Sequence, residues 1–255
     1  MAPTEDAARI ISEVSAKNID DCVRVSSFTH ELEESIRGHI HEELTSWLFF
    51  RKLAADCSRA NIALHGFALY VYLPSNTSGL AGQHRVDVFA DDDSLWERSA
   101  IESLADAHWL EKYLQRGGRC KPTDIEAPKI EFSDNPVEPV GPVREALAVE
   151  KRILEDLERL MALANKVGNY SLAAMLDKRF LCKQTRHVKD LADLLQQVVR
   201  VSKQPGLGIF HLDRELRCHD GCLPWGKSND PEMIDCALQS ICTTLGKEEK
   251  LLGNC

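Results

Sequence analysis

Apolar residues recur every three or four positions over several long stretches of the chain, the spacing of helices with one buried face. The clearest stretch runs from Gly141 to Gln204 and breaks at Val167-Gly168-Asn169. It opens on Gly141-Pro142, a helix-start signal because proline fits the first helical turn. The stretch therefore predicts two helices joined by a short turn. Their predicted stripes are Val143, Leu147, Leu154, Leu157, Met161 and Ala164 in the first helix, and Phe180, Val188, Leu191, Leu195 and Val198 in the second.

The same spacing predicts helices elsewhere in the chain. They cover about 32–58, 60–72, 94–115 and 209–217. Pro74 stops the second of these helices, and Gly117-Gly118 caps the third at its C-terminal end. A Pro-rich connection, 119–138, is long enough to return the chain from one end of a helical bundle to the other.

Each of the four long predicted helices carries a polar residue inside its apolar stripe. These residues are Glu43, Glu102, Glu150 and Gln184, and Asp106 shares the helix face of Glu102. A buried carboxylate is costly unless it is paired. Any one of them alone is most simply explained by pairing with a basic side chain, but four in matching stripes suggest a cation between the helices. Carboxylate and amide oxygens favour iron, manganese or magnesium over a thiolate-seeking metal.

Composition agrees with a cation-handling globular protein. The net charge is −9 and the pI is about 5.5, which argues against nucleic acid as a partner. No apolar run approaches the length of a membrane span, and Met1–Glu13 lacks the apolar core of a signal peptide. The nine cysteines are an odd, scattered set. We therefore expect reduced thiols and a cytoplasmic location.

Several motifs together resemble ferritin, over roughly His30 to Arg217. The break Gly206-Leu207-Gly208 before the short last helix also matches that family. The other motifs are His41-Glu42-Glu43-Leu44, Asn61-Ile62-Ala63-Leu64-His65-Gly66-Phe67, Gln115-Arg116-Gly117-Gly118-Arg119, Ala146-Leu147-Ala148-Val149-Glu150-Lys151 and Phe180-Leu181-Cys182-Lys183-Gln184.

The resemblance implies an all-α, ferritin-like four-helix bundle with a short fifth helix. It divides the chain into an N-terminal extension over 1–29, a ferritin-like di-iron domain over 30–217 and a cysteine-containing tail over 218–255. An insertion over 73–94 interrupts the second helix of the bundle. It is either a loop outside the bundle or translated non-coding sequence. In the tail, Cys218-His219-Asp220-Gly221-Cys222 is either a zinc clip or, as its irregular spacing favours, part of an appendage with reduced thiols.

The resemblance also implies a two-iron ferroxidase centre. Glu43 would bind the first iron, Glu150 and Gln184 the second, and Glu102 would bridge them. The family's histidine, three residues after that bridging glutamate, is Ala105 here, and Asp106 is a candidate replacement ligand. The family's tyrosine near the first glutamate is Phe50. At the family's three-fold channel Asp177 is retained, whereas Ala174 replaces an acidic residue.

Three functions follow as alternatives. The first is iron storage, in which a hollow shell takes up Fe(II), oxidises it with O₂ and stores it as ferric mineral. The second is a structural, light-chain-like subunit with weak or no ferroxidase activity. The third is an interaction protein that no longer assembles. The expected partners are iron ions, ferric mineral and ferritin chains of the same or another kind, with no nucleic acid and no membrane.

Overall fold

The structure, a computed structural model, describes residues 5–16, 23–68, 95–121, 123–203 and 206–219, together with Leu223 and Trp225. This part of the chain is almost entirely helical. A short antiparallel pair of strands, β1 (Ser133–Asp134) and β2 (Val137–Glu138), lies in the connection before α5. The α-helices are α1 (Glu5–Ala16), α2 (His30–Cys57), α3 (His65–Ala68), α4 (Leu95–Leu114), α5 (Val140–Lys166), α6 (Tyr170–Met175), α7 (Cys182–Val201) and α8 (Leu207–Cys218), with a π-helical segment (Leu176–Leu181) between α6 and α7.

The chain divides into two compact units that cut across the helices. One unit comprises Met1–Arg51, Ser99–Lys129 and Lys151–Leu181. The other comprises Lys52–Arg98, Ile130–Glu150 and Cys182–Cys255. We refer to them as the first and second units. Each has its own buried apolar residues, so each can be described by itself.

The long predicted helices are confirmed as α2, α4, α5 and the helical stretch from α6 through α7. The short last helix is confirmed as α8. The helix predicted to start at Ala60 is wrong at its beginning. Residues 60–64 form a turn in which Ala63 has a φ of 51°, and α3 begins at His65. Since φ values in that region are unfavourable for a non-glycine residue, the helix cannot pass through this point.

The first unit is held together by rows of buried residues at alternating three- and four-residue steps. The buried row on α4 includes Ala107, Leu110 and Leu114. The buried row on α5 includes Ile153, Leu157 and Leu160. The row on α2 reads Leu32, Ile36, His39, Glu43, Ser46 and Phe50. The row on α2 is therefore apolar at both ends and polar in the middle, which positions the site described below.

In the second unit, α3 and α8 pack with almost no space between their backbones. The carboxylate of Asp213 on α8 accepts hydrogen bonds from the backbone N–H groups of Gly66 and Phe67, at 2.7 and 3.4 Å. It also accepts one from Arg217, at 3.1 Å. The Phe67 ring lies beside that of Trp96, with 6.4 Å between ring centroids. A buried carboxylate thus satisfies the first N–H groups of α3 and ties α8 to it.

Gly66→Ala is expected to destabilise the second unit, because a Cβ atom at Gly66 would lie 1.9 Å from the backbone oxygen of Asp213. Relieving that overlap requires α3 and α8 to separate, at a cost of about 1–3 kcal/mol or more. Urea unfolding followed by circular dichroism measures this change. The matched control is Gly38→Ala, where the added Cβ meets nothing within 4 Å and alanine favours the helix. Equal stability of Gly66→Ala and Gly38→Ala would contradict the packing described.

In the first unit, a buried carboxylate joins the segment before α2 to the segment after α4. Glu33 contacts Arg24 at 2.5 Å and also binds Arg37. It accepts a 3.0 Å hydrogen bond from the backbone N–H of Arg119. Burial alone would raise the pKa of Glu33, but the Arg119 hydrogen bond and the two guanidinium groups outweigh it, so the pKa is lowered. Glu33 therefore contributes stability as a charged group.

Glu33→Gln is expected to cost about 2–3 kcal/mol at pH 7, less than for a fully buried pair because both arginines keep some contact with water. The lowered pKa gives the sign of the pH dependence. The stabilisation is present above the ordinary value near 4.5 and is lost as pH falls through the lowered pKa. Urea unfolding from pH 7 to pH 3 should show the parent approaching the variant in acid. Glu34→Gln, at an exposed neighbouring position, is the control and should change little.

Some predictions fall outside the described residues. They are the insertion over 73–94 and the tail beyond His219, including the Cys222 half of the proposed zinc clip. The α8 residue Cys218 is described and has a free thiol. Among the described helices, none combines the length and the apolar character that crossing a membrane requires.

Candidate metal centre

Glu43 lies in the middle of α2, where its side chain is buried beside a buried histidine. The Nε2 atom of His39, one turn earlier, lies 3.4 Å from Glu43 Oε1. The Nδ1 atom of His39 hydrogen-bonds Asp156 Oδ2 on α5 at 2.7 Å. Glu43 therefore lies next to an imidazole, that of His39, which the sequence motifs did not indicate.

The electrostatics of this group are dominated by its two carboxylates. Burial alone would lower the pKa of His39, but Asp156 and Glu43 outweigh it and raise the pKa to about 9. Burial likewise would raise the pKa of Asp156, but the contacts with His39 and Arg159 lower it. A cation is thus favoured between the two carboxylates, here supplied by the protonated imidazole.

Glu102 and Asp106 lie on α4, on one flank of its buried row. Glu102 is half-buried and Asp106 is buried. The Asp106 carboxylate lies 3.8 Å from Arg179 of the π-helical segment, and that guanidinium lies 5.9 Å from the centre of the Trp109 ring. If Asp106 replaces the missing histidine as a ligand, iron has to compete with Arg179 for its carboxylate.

Ala105 lies on the exposed side of α4. Its neighbour Leu104 is 43% exposed, an unusual value for a large apolar side chain. Ala105 is therefore exposed, whereas Glu102 is half-buried and Asp106 is buried. The position that matches the family's histidine carries no donor in this chain.

Glu150 and Gln184 are the predicted ligands that the structure brings into direct contact. Both are buried and lie in the second unit, Glu150 on α5 and Gln184 on α7. The Gln184 amide nitrogen donates to the Glu150 backbone oxygen at 3.1 Å and also to the Glu150 carboxylate. The amide nitrogen of Gln184 thereby holds its side chain against the Glu150 carboxylate.

Two further observations concern the predicted site as a whole. Among the residues that the structure describes, no three His, Cys, Asp or Glu side chains converge closely enough to bind one metal ion. Asp177, the predicted channel residue, is exposed in the π-helical segment. The predicted ligands are carboxylates and an amide, donor types that iron accepts.

Comparison with known proteins matches this picture. A family model described as "Ferritin-like domain" matches residues 90–201. A ferritin from the green alga Ulva pertusa, whose crystal structure is known, superposes with a TM-score of 0.64 at 26% identity, over 85% of this chain and 98% of that one. The chain is similar to ferritins in both sequence and fold. The resemblance and the all-α, ferritin-like fold predicted from the sequence are confirmed.

The curated proteins that this chain resembles include plant ferritins. Ferritin-2, chloroplastic, of Vigna unguiculata is 28% identical over 195 residues, covering 76% of this chain and 67% of the relative. Ferritin-3, chloroplastic, of Arabidopsis thaliana is 30% identical over 158 residues, covering 61% of this chain and 57% of the relative. The chain thus spans between about half and two thirds of the length of these relatives. At the level of the family, these similarities support iron storage as the function.

Proposed function

We propose that this chain is a subunit of a hollow ferritin shell that takes up Fe(II), oxidises it with O₂ and stores it as ferric mineral. The observation that carries the proposal is the burial of three oxygen-donor side chains at positions that match the family's iron ligands. Glu43, Glu150 and Gln184 are each at most 4% exposed. Placing carboxylates in a helical core is costly, and a bound cation offsets that cost.

In this proposal iron is the substrate. Glu43 binds one iron, Glu150 and Gln184 bind the other, and Glu102 bridges the two, as the resemblance implies. Holding two metal ions close together lets each Fe(II) give one electron to O₂, the oxidant. The hydrogen bonds between Gln184 and Glu150 orient two of these ligands before iron arrives, which lowers the cost of organising the site.

A specific observation favours a second candidate function, a structural subunit with little chemistry of its own. Ala105 has no donor atom, and Phe50, at the place of the family's tyrosine, is fully buried and apolar. Such a chain would build the shell while a partner ferritin chain oxidises iron. In either role the chain is a subunit of an iron-storing assembly.

Iron retention tests the proposal. The purified chain is incubated with Fe(II) in air, desalted, and run on a native gel stained for both protein and iron. We expect the iron and the protein to migrate together as one large particle. A structural subunit would form the particle but load iron slowly unless a ferroxidase-active chain is added. Iron that precipitates outside the protein in both conditions would contradict storage by this chain.

A further inference from the structure

His39 occupies the middle of the buried row of α2, one turn before Glu43. Its side chain is completely buried. An imidazole at such a position needs a partner for both ring nitrogens, because an unsatisfied buried polar group is costly. The proposed set of iron ligands gives His39 no role.

The two ring nitrogens of His39 have different surroundings. Nδ1 is firmly bonded to Asp156, at 2.7 Å. Nε2 is buried and, among the described residues, has no hydrogen bond of acceptable geometry. Its neighbour is Glu43 Oε1, at 3.4 Å. Metal-binding histidines share this arrangement, in which one ring nitrogen faces the metal and the other donates its N–H to a carboxylate.

The separation of the two candidate donor atoms also suits one metal ion. Two ligands that are each about 2.1 Å from the ion lie about 3.0–3.4 Å apart when the angle between them is 90–110°. The His39 Nε2 to Glu43 Oε1 distance of 3.4 Å falls at the upper end of that range. The metal-free ion pair and a shared metal ion therefore need almost the same placement of these side chains.

We propose that His39 is an iron ligand. It gives the iron held by Glu43 an imidazole in place of the family's histidine, which is Ala105 in this chain. Asp156 is a positioning residue, since its hydrogen bond to Nδ1 holds the ring with Nε2 toward Glu43. The incoming ion takes the place of the proton on Nε2. This proposal rests on the proposed function, because it concerns the same iron.

The test uses the full-length parent with one equivalent of vanadyl ion, VO²⁺, per chain, in the absence of O₂. Electron spin echo spectroscopy detects the ¹⁴N coupling of a metal-bound imidazole. We expect that coupling in the parent and its loss in His39→Gln. His41→Gln is the matched control. His41 lies on the same helix but hydrogen-bonds Thr123 near the surface, so the coupling should persist.

Metal affinity gives a second readout, and the variant Asp156→Asn makes it independent of how well His39→Gln folds. Asp156→Asn keeps the imidazole and changes only the group behind it. Calorimetric titration with Co(II) should show a Kd about 10–100-fold weaker for Asp156→Asn, the range for outer-shell carboxylates, and at least as weak for His39→Gln. If Asp156 were merely structural, its replacement would lower thermal stability and leave the Kd unchanged.

Glu150→Ala separates this proposal from the proposed function. In one outcome the parent binds VO²⁺ and Co(II), Glu150→Ala weakens that binding, and neither His39→Gln nor Asp156→Asn changes it. The iron site then stands and His39 is only part of an ion pair. If the parent shows no imidazole coupling, the ligand role of His39 is also overturned. If the parent binds neither metal, the proposed function fails and this inference fails with it.

Discussion

Glu150→Ala is expected to reduce the rate of Fe(II) oxidation by at least about 100-fold, since outer-shell changes alone cost about 10–100-fold and Glu150 would contact iron directly. The substitution removes a buried carboxylate and leaves the Gln184 amide without its side-chain partner on α5. The second iron then loses one ligand and the orientation of another. Stopped-flow absorbance of Fe(III) formation measures the rate.

The control for this experiment is Glu145→Ala, on the same helix. Glu145 is half-exposed and contacts Arg144, so its loss should leave the oxidation rate unchanged. If Glu150→Ala oxidises iron as fast as the parent while remaining folded, the dinuclear centre is not where we place it. The chain would then be a structural subunit.

The second large expected effect concerns the native mass of the protein in solution. The parent should behave as a closed shell of about two dozen copies, as the ferritin resemblance implies, rather than as a single 28.6 kDa chain. Analytical ultracentrifugation over a range of protein concentrations, with and without iron, separates these cases. A monodisperse monomer at every concentration would favour the third alternative, an interaction protein with the ferritin fold.

The helices were predictable because their apolar rows are long and regular. On α5 the placement of Glu150 in the buried face is confirmed, but the predicted row was partly wrong. Leu147, Leu154 and Met161 are only half-buried. The fully buried row is Val143, Ala146, Glu150, Ile153, Leu157, Leu160 and Ala164. Adjacent rows on this helix are both apolar, so a 3.6-residue period cannot choose between them.

His39 was not selected from the sequence, although a usable signal was present. In the sequence, His39 stands next to the apolar Ile40 and looks like a polar surface residue. It stands four residues before Glu43, however, and therefore on the same face of the helix. Its true setting depends on Asp156, which lies 117 positions further along the chain, a contact that no local pattern contains.

The remaining misses have similar causes. The turn at 60–64 ends where α3 is capped by Asp213, a partner about 147 positions away. The strands β1 and β2 are two residues each, too short to show an alternating pattern. Long-range hydrogen bonds and very short elements carry almost no local signal. The contact of Asp106 with Arg179 belongs to the same class.

The most direct test of the central claim is an anaerobic calorimetric titration of the parent and Glu150→Ala with Fe(II). A two-iron centre built on Glu43, Glu102, Glu150 and Gln184 predicts two tightly bound Fe(II) ions per parent chain and the loss of at least one in the variant. Identical binding curves for the two proteins, or a parent that binds no Fe(II), would contradict it.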